Sequence, residues 1–320
     1  MKKKLELNYQ LLNKLRYGEN PHQKGWFWKK KTVDPLALFK FKKIQGKKLS
    51  FTNLLDIDAA VNTLCLIGQE LPACVVVKHT NPCGVSVNKR IDQAFQKAWA
   101  GDSLAAFGGI IALNRLVGVE LAKLILADNR FFEIIVCPQI SPKAGKEFRL
   151  KKNLRVLVNP ALRKPLLNKD LDFKKIRGGL LSQQTDVYQL KKKDLTVVTK
   201  KKPTDKEVDD LLFAWKIAQI SKANSIVLVK NQQLIGSGVG QQDRLRSCQL
   251  AVDKAGQRAK ASLAASDAFF PFKDGPEILI KAGVKAIIQP GGSIRDRSVI
   301  NFCNQHDTAM VFTAIRCFKH

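Results

Sequence analysis

Two adjacent side chains carry the first chemical suggestion. Lys78 is a fixed cation, and His79 exchanges a proton near neutral pH. They belong to the run P-A-C-V-V-V-K-H-T-N-P-C-G, Pro72 to Gly84, in which Ala73 to Val77 are all small or apolar. That composition predicts a buried strand, stopped by Pro82 and Gly84, with Lys78 and His79 where strand gives way to loop. At the carboxyl end of a strand in an open α/β sheet, such a pair is placed for proton transfer and for stabilising developing negative charge. A Lys-His pair alone is more often a surface cation beside a strand-end histidine, so it needs company to carry weight.

Further stretches add groups of the right kinds. Leu15 to Gln23 reads L-R-Y-G-E-N-P-H-Q. Arg16 offers a planar fork of donors to a phosphate and Gly18 permits close backbone approach, although by itself the segment reads as a polar turn. Gly236 to Arg244 reads G-S-G-V-G-Q-Q-D-R, which is not a dinucleotide fingerprint because strand, helix and acidic residue do not fall in order. Arg244 stands at the start of a helix predicted to turn Leu245, Cys248, Val252 and Ala255 inward, so helix amides and guanidinium face an anion or a carbonyl together. Ser266 to Asp274 packs three phenylalanines and a proline between two aspartates. A flat aromatic ligand, with Asp274 accepting from its ring nitrogens, uses both features. Q-P-G-G-S-I-R-D forms a tight loop after a strand, and the chain closes on T-A-I-R-C-F-K-H.

The elements that must position these groups alternate in type. Leu54, Ile57, Val61, Leu64 and Ile67 keep helical spacing, and Ile91 to Trp99 reads as a second helix. Ser103 to Asn114 is a glycine bend running into a strand, with Phe107 beside the bend, and Glu133 to Pro138 is a further strand. Asn159 to Pro203 is poor in pattern and is taken as a connection. Thr204 to Glu207 is a capping box opening a helix with Val208, Leu211, Leu212, Trp215 and Ala218 on one face. A strand from Ser225 to Val229 follows, entered at Asn224 and left at Lys230. It echoes V-V-V-K-H, as A-I-I-Q-P (Ala286 to Pro290) echoes I-I-V-C-P. These repeats predict two related α/β halves, residues 1–195 and 196–320.

Composition narrows the class. A chain of 320 residues, 45% hydrophobic, exceeds one ordinary core. Its 55 basic and 27 acidic residues give a net charge of +28, but the lysines are scattered, with small clusters such as Lys29–Lys31 and Lys200–Lys202. No RNP-like motif, zinc finger or basic arm accompanies them, so nucleic acid is not the expected partner; the field suits anionic small substrates. Seven cysteines, an odd number without any C-x-x-C pair, suggest neither a disulfide framework nor a thiolate zinc site. No apolar run approaches the roughly 18 residues of a bilayer span, and Glu6 and Asn8 stand where a signal peptide needs apolar residues, so a cytoplasmic protein away from membranes is expected.

Eight motifs in order, L-R-Y-G-E-N-P-H-Q, V-K-H-T-N-P-C-G, F-G-G-I-I-A, F-F-E-I-I-V-C-P, G-Q-Q-x-R, S-D-A-F-F-P-F, Q-P-G-G-S-I-R-D and a terminal R-x-F-x-H, span essentially the whole chain. Together they resemble the AICAR transformylase part of the bifunctional purine biosynthesis family, PurH. The resemblance implies a cytidine-deaminase-like α/β fold repeated twice, here without the H-x-E and P-C-x-x-C zinc signature. It implies a formyltransferase moving a formyl group from 10-formyltetrahydrofolate to the 5-amino group of phosphoribosylaminoimidazolecarboxamide (AICAR), giving FAICAR for IMP biosynthesis.

By the same resemblance His79 is the proton acceptor, Lys78 stabilises the transition state and Asn224 orients amine and formyl oxygen. Arg16, Tyr17 and Arg316 surround the nucleotide; Gly108, Glu133, Arg244 and Phe269 touch ribose or base; Leu245, Asp274, Ser293 and Ile294 line a folate pocket. Glu133 stands where some members carry Asp, and Asp243 fills a variable place in which a local ion pair with Arg244 is expected. The family implies a homodimer with sites across its interface, a structural potassium ion and no zinc. Its cyclohydrolase domain is expected to be absent, since Met1 lies just ahead of the first motif, which leaves ring closure to a separate IMP cyclohydrolase. The alternative is a non-catalytic basic relative that binds nucleotides or RNA, against which the joint presence of Lys78, His79, Asn224 and Arg244 speaks.

Overall fold

The structure is a computed structural model that describes residues 4–320. An antiparallel arm of β1 (Gln10–Lys14) and β2 (Trp26–Lys29) precedes the first sheet. That sheet contains β3 (Lys42–Gln45), β4 (Ala73–Lys78), β5 (Asn81–Val87), β6 (Gly109–Leu113), β7 (Phe132–Cys137) and β8 (Arg155–Val158), in the spatial order β3-β8-β7-β6-β4-β5. Its helices are α1 (Phe51–Ile67), α2 (Ile91–Gly101), the short α3 (Ser103–Ala106), α4 (Val119–Leu126) and α5 (Pro142–Arg149). A hairpin of β9 (Leu171–Ile176) and β10 (Gly179–Gln184) leads to the second sheet: β11 (Thr196–Val197), β12 (Ile226–Val229), β13 (Leu234–Gly238), β14 (Leu263–Ser266), β15 (Ala286–Gln289) and β16 (Ala309–Phe312), ordered β11-β16-β15-β14-β12-β13. Helices α6 (Asp205–Ile220), α7 (Arg244–Ala255), α8 (Asp274–Lys281) and α9 (Asp296–Gln305) accompany it.

The two sheets have one topology. In each, a central strand (β4, β12) pairs antiparallel with the next strand in sequence (β5, β13) and with the first of three parallel strands (β6–β8, β14–β16); an antiparallel edge strand (β3, β11) closes the far side. The match reaches single residues. Ser50 and Thr204 cap α1 and α6 with capping boxes, and Gly84 and Gly236 occupy one place in β5 and β13. A Cβ at Gly84 would lie 2.1 Å from the carbonyl of Ala98 in α2, and one at Gly236 2.3 Å from that of Ala251 in α7. Each glycine lets a helix lie directly on its strand.

The layers explain the composition of the helices. One core cluster combines Ile57, Val61 and Leu64 of α1 with Leu211, Trp215 and Ala218 of α6 and the inner faces of both sheets, Val75 and Val77 on one side and Val227 and Val229 on the other. The outer face of the first sheet packs on α2, α4 and α5 through Phe95, Ile125 and Phe148; that of the second packs on α7, α8 and α9 through Cys248, Leu279 and Val299. Because α6 lies between two sheets, Phe213, Ala214 and Ile217 are buried as well, and its apolar stripe widens beyond the single face expected.

Two expectations are corrected. Pro82 and Gly84 do not stop a strand; they lie inside β5, an edge strand where proline costs no ladder bond and where Gly84 admits α2. The segment from Asn159 to Pro203 is not only a connection, since it contains the β9–β10 hairpin turned at Gly178, φ +74°. All seven cysteines are free and buried. Among the described residues no helix is long and apolar enough to cross a membrane.

Candidate active site

The first group of candidate residues is built around the tip of the β4–β5 hairpin. His79 and Thr80 form the turn with φ of 49° and 64°, two successive left-handed residues that match the twist of the strands but cost each non-glycine residue about 1–2 kcal/mol. Asp56 of α1 offsets that cost, its Oδ1 accepting the Thr80 N–H at 2.6 Å. Lys78 donates from Nζ to the carbonyl of Phe107 at 2.5 Å. Next to it Gly108 has φ +72° and donates its N–H to Phe131, and a Cβ there would stand 3.0 Å from Lys78 Nζ. Glu133 accepts from Asn53 Nδ2 at 3.0 Å and pairs with Arg155 at 3.5 Å. Lys78 and Glu133 are half-buried and His79 is exposed.

Strand direction corrects one premise. The tip is the carboxyl end of β4, but β4 runs against β6 and β7, so Lys78, His79, Gly108 and Glu133 stand at the amino edge of the parallel strands.

The second group lies on the opposite edge of the other sheet. Asn224 precedes β12, Arg244 follows β13, Asp267 follows β14, Ser293 follows β15 and Arg316 follows β16, all at the carboxyl edge of β14–β16. Arg244 is 8% exposed. Its guanidinium donates to Asp267 Oδ1 at 2.5 Å, to Ser266 Oγ at 2.9 Å and to Asn224 Oδ1 at 2.6 Å. Asn224 Nδ2 donates to the carbonyls of Gln241 and Gln242, so its amide plane is held from both sides. Asp267 also accepts the Ser225 N–H at 2.9 Å, and its own carbonyl accepts from Cys317, which ties the chain end beside it. Burial pushes the Asp267 carboxyl up, and the Arg244 guanidinium pulls it back.

The two edges meet because β5 and β13 lie antiparallel across the boundary between the sheets, with a bridge between Ser86 and Gln233. That juxtaposition sets the beginning of β5, at the His79 tip, beside the end of β13. Asn81 Oδ1 accepts the N–H of Lys222, two residues before Asn224, at 3.1 Å.

The same packing generates a second, pseudo-equivalent junction of edges, which is equipped differently. The β12–β13 tip repeats the first: Asn231 and Gln232 have φ of 50° and 56°, Asp210 accepts both their N–H groups at 2.8 Å, and Lys230 donates to the Lys260 carbonyl at 2.9 Å. Asparagine replaces His79, and the tip is stitched to β5, where Ser86 and Val87 donate to the Gln232 carbonyl. On the opposing edge Asn114 holds the start of β4 as Asp267 holds the start of β12, but its amide satisfies itself on the carbonyls of Gly68 and Leu71 and needs no arginine.

The other candidates are more widely spread. Phe269 is 42% exposed and Phe272 48%, whereas Phe270 is buried, so the three do not form one packed cluster; the Arg295 guanidinium stacks 4.5 Å from the Phe272 ring. Asp274 is exposed at the start of α8, with Oδ1 accepting from Gly275. Ser293 and Ile294 sit in the loop turned at Gly291 and Gly292, with Asp296 accepting the Gly292 and Ser293 N–H groups. Leu245, expected inward, is 42% exposed, because Arg244 and Cys248 take the buried side of α7. Asp243 does not pair with Arg244; it caps α7 by accepting the Arg246 N–H at 2.6 Å, and Asp267 takes the guanidinium. Arg316 is exposed and stacks on Phe318 at 4.9 Å. Arg16 stacks on Tyr17 at 5.3 Å in the turn between β1 and β2, and among the described residues no hydrogen bond or ion pair joins either to the two edges. No group of three or more His, Cys, Asp or Glu among the described residues is placed to hold a metal ion.

Sequence reasoning missed Asp56, Asn81 and the part played by Asp267. Aligning the two halves on their capping boxes is the signal that finds Asp56 and Asp210.

Fold and site together define a duplicated α/β protein in which one of two related sheet junctions carries a histidine, a lysine and a half-buried asparagine held by a buried Arg-Asp pair. The chain belongs to the AICARFT/IMPCHase bienzyme family, which it matches over residues 1–254. It is 46% identical over 312 residues to the bifunctional purine biosynthesis protein PurH of Xylella fastidiosa (strain 9a5c), covering 97% of this chain and 58% of that protein. It is 44% identical over 312 residues to the PurH protein of Thermoanaerobacter sp. (strain X514), covering 98% and 60%. The chain thus spans about 60% of the length of the curated relatives it matches.

Proposed function

We propose that this chain is an AICAR formyltransferase, moving the formyl group of 10-formyltetrahydrofolate to the 5-amino group of AICAR to give FAICAR in IMP biosynthesis. Family membership supports the reaction class. The observation that carries the assignment to a site is the asymmetry of the two junctions: only one pairs a histidine tip with an arginine-held amide.

The chemistry asks for those groups. The AICAR amine is conjugated with its carboxamide and is a poor nucleophile. His79 takes its proton as nitrogen bonds to the formyl carbon, then returns the proton to N10 of tetrahydrofolate as the carbon–N10 bond breaks. The formyl oxygen passes through an oxyanion, next to which Lys78 supplies a cation already oriented by the Phe107 carbonyl. Arg244 fixes the Asn224 amide that orients amine and formyl oxygen. Gly108, Glu133 and Phe269 are assigned to ribose or base, and Leu245, Asp274, Ser293 and Ile294 to the folate at the carboxyl edge.

Arg16, Tyr17 and Arg316 are assigned to the nucleotide, and the arm that holds the first two supports a homodimer. Leu11, Trp26 and Trp28 on the arm, with Leu180 and Leu181 on the β9–β10 hairpin, are all 40–56% exposed. Isolated two-stranded ribbons are marginal in water, so a second copy covering them would stabilise both and bring Arg16 to a neighbouring junction. Sedimentation should give a dimer, and a monomer with full activity would sink that assignment.

Residues 1–195 and 196–320 are the two subdomains of this reading, and the cytoplasm is its setting. A structural potassium ion would have to rest on carbonyl and hydroxyl oxygens, since no carboxylate cluster offers itself among the described residues. The net charge of +28 steers two anionic substrates. Ring closure, wherever it resides, would pull the transfer forward, so an added IMP cyclohydrolase should raise the extent of conversion.

The test is the absorbance change of tetrahydrofolate formation with AICAR and 10-formyltetrahydrofolate, with His79→Ala as control. Turnover abolished in the control supports the assignment. A folded protein with no turnover refutes it and favours a binding role.

A further inference from the structure

Asp56 and Asp210 are one residue in two copies, each on the second turn of a capped helix and each accepting backbone N–H groups of a left-handed hairpin tip. The copies differ in what the tip presents. At Asp210 it is Asn231, and at Asp56 it is His79. The carboxylate is therefore a general clamp of this fold that, in the first half alone, has an ionisable imidazole attached to the backbone it grips.

We propose that Asp56 is a positioning residue for His79: it fixes the tip through its backbone and, by its charge, favours the protonated imidazole that forms when His79 accepts a proton. The proposal rests on His79 being the base of the reaction above. Its proton balance is simple, because the proton leaves the amine, rests on the imidazole of the tip that Asp56 grips and departs with the folate nitrogen. Burial pushes the Asp56 carboxyl up, while the Thr80 N–H and the charge of His79 pull it down and Glu133 pushes it up, which places His79, Asp56 and Glu133 in one electrostatic neighbourhood. The charged groups around the tip are Asp56 from α1, Glu133 of β7 with its partner Arg155 of β8, Lys78 of β4, and Lys222, whose backbone holds Asn81. Glu133 is tied to Asn53 and Arg155, which leaves Asp56 as the carboxylate bonded directly to the tip.

The second copy supplies the control. Asp56→Asn is compared with Asp210→Asn in the full chain, by thermal melting and by the pH dependence of kcat and KM for AICAR. Asp56→Asn is expected to lower kcat at least tenfold with KM within about twofold. It should also move the acid limb of the kcat profile down by about half a pH unit or more, because removing a nearby negative charge lowers an imidazole pKa. Asp210→Asn is expected to change the melting temperature alone. Equal behaviour of the two variants, with the acid limb unmoved, overturns the proposal and makes Asp56 a structural clamp only.

Should Asp56→Asn not fold, Asp56→Glu keeps the charge but displaces the grip. A lowered kcat with an unmoved acid limb then supports the proposal, and wild-type kcat overturns it. An NMR titration of His79, assigned with His79→Gln, separates this inference from the proposed reaction. In a chain without formyl transfer, a lower His79 pKa in Asp56→Asn still supports the coupling, and an unchanged one refutes it.

Discussion

Replacing Asp267 by Asn tests the buried pair most directly. The carboxylate is fully buried, and it is the anion that pairs with Arg244, whose side chain is 7% exposed. The new carboxamide would still accept the Ser225 N–H, as Asn114 accepts that of Ala73 in the first half, but it would leave the guanidinium uncompensated. Removing one partner of a buried pair costs about 3–5 kcal/mol, two to three and a half powers of ten in the folded-to-unfolded ratio. Adding Arg244→Met removes the orphaned charge and should recover at least about 2 kcal/mol of the loss. Activity should not return with it, because Asn224 then loses its 2.6 Å contact with Arg244. Urea unfolding of wild type, single and double variants gives the stabilities, and tetrahydrofolate formation gives the activities. A double variant no more stable than Asp267→Asn, to within about 0.5 kcal/mol, would refute the view that these residues act as a coupled buried pair.

Three further outcomes are expected. Gly238→Ala places a Cβ 2.0 Å from the Ser247 carbonyl, a backbone atom that moves only if α7 moves; it should cost about 1–3 kcal/mol by urea unfolding and lower turnover, since Arg244 heads that helix. Lys230→Met removes a bond to a carbonyl and should cost about 1 kcal/mol with normal turnover, whereas Lys78→Met, the same change in the other copy, should lower kcat at least a hundredfold; equal kinetics in the two would remove Lys78 from the mechanism. Burial pushes the Cys65, Cys83, Cys137, Cys248 and Cys303 thiols up to about 12 from 9.0, so the native protein should resist thiol reagents at about pH 8. The sign for stability follows: above about pH 9 the unfolded chain loses thiol protons that the folded chain keeps, so stability falls as pH rises, by up to about 1.4 kcal/mol per pH unit for each thiol. A urea midpoint unchanged between about pH 8 and pH 10 would contradict this.

Much of the fold is legible in the chain because buried strands announce themselves by composition. The runs V-V-V-K-H and I-V-L-V-K fall on β4 and β12, and I-I-V-C-P and A-I-I-Q-P fall on β7 and β15, corresponding strands of the two sheets. What misleads is local propensity where tertiary position overrides it. Pro82 and Gly84 look like strand breakers but occupy an edge strand that a helix must approach. Asp243 looks like the partner of Arg244 because it is adjacent, yet an aspartate before a helix is worth more as a cap, and the partner that shares the buried side lies 23 residues on. That the candidate residues come from opposite edges of two sheets is not readable from order along the chain. It depends on how β5 and β13 lie against each other, a contact between residues about 150 positions apart.

The shared middle layer has a consequence for how the chain is made. The inner face of the first sheet is covered by α1, and the side of α1 turned away from that sheet is covered by α6, which ends at Ile220, about 150 residues after α1 ends at Ile67. At roughly 5–20 residues per second of synthesis, that surface waits on the order of 10–30 seconds before its cover leaves the ribosome. Nascent chains in that interval carry a first half in which one apolar side of α1 is uncovered, so dependence on chaperones should peak while residues 160–220 are being translated and fall once α6 has docked.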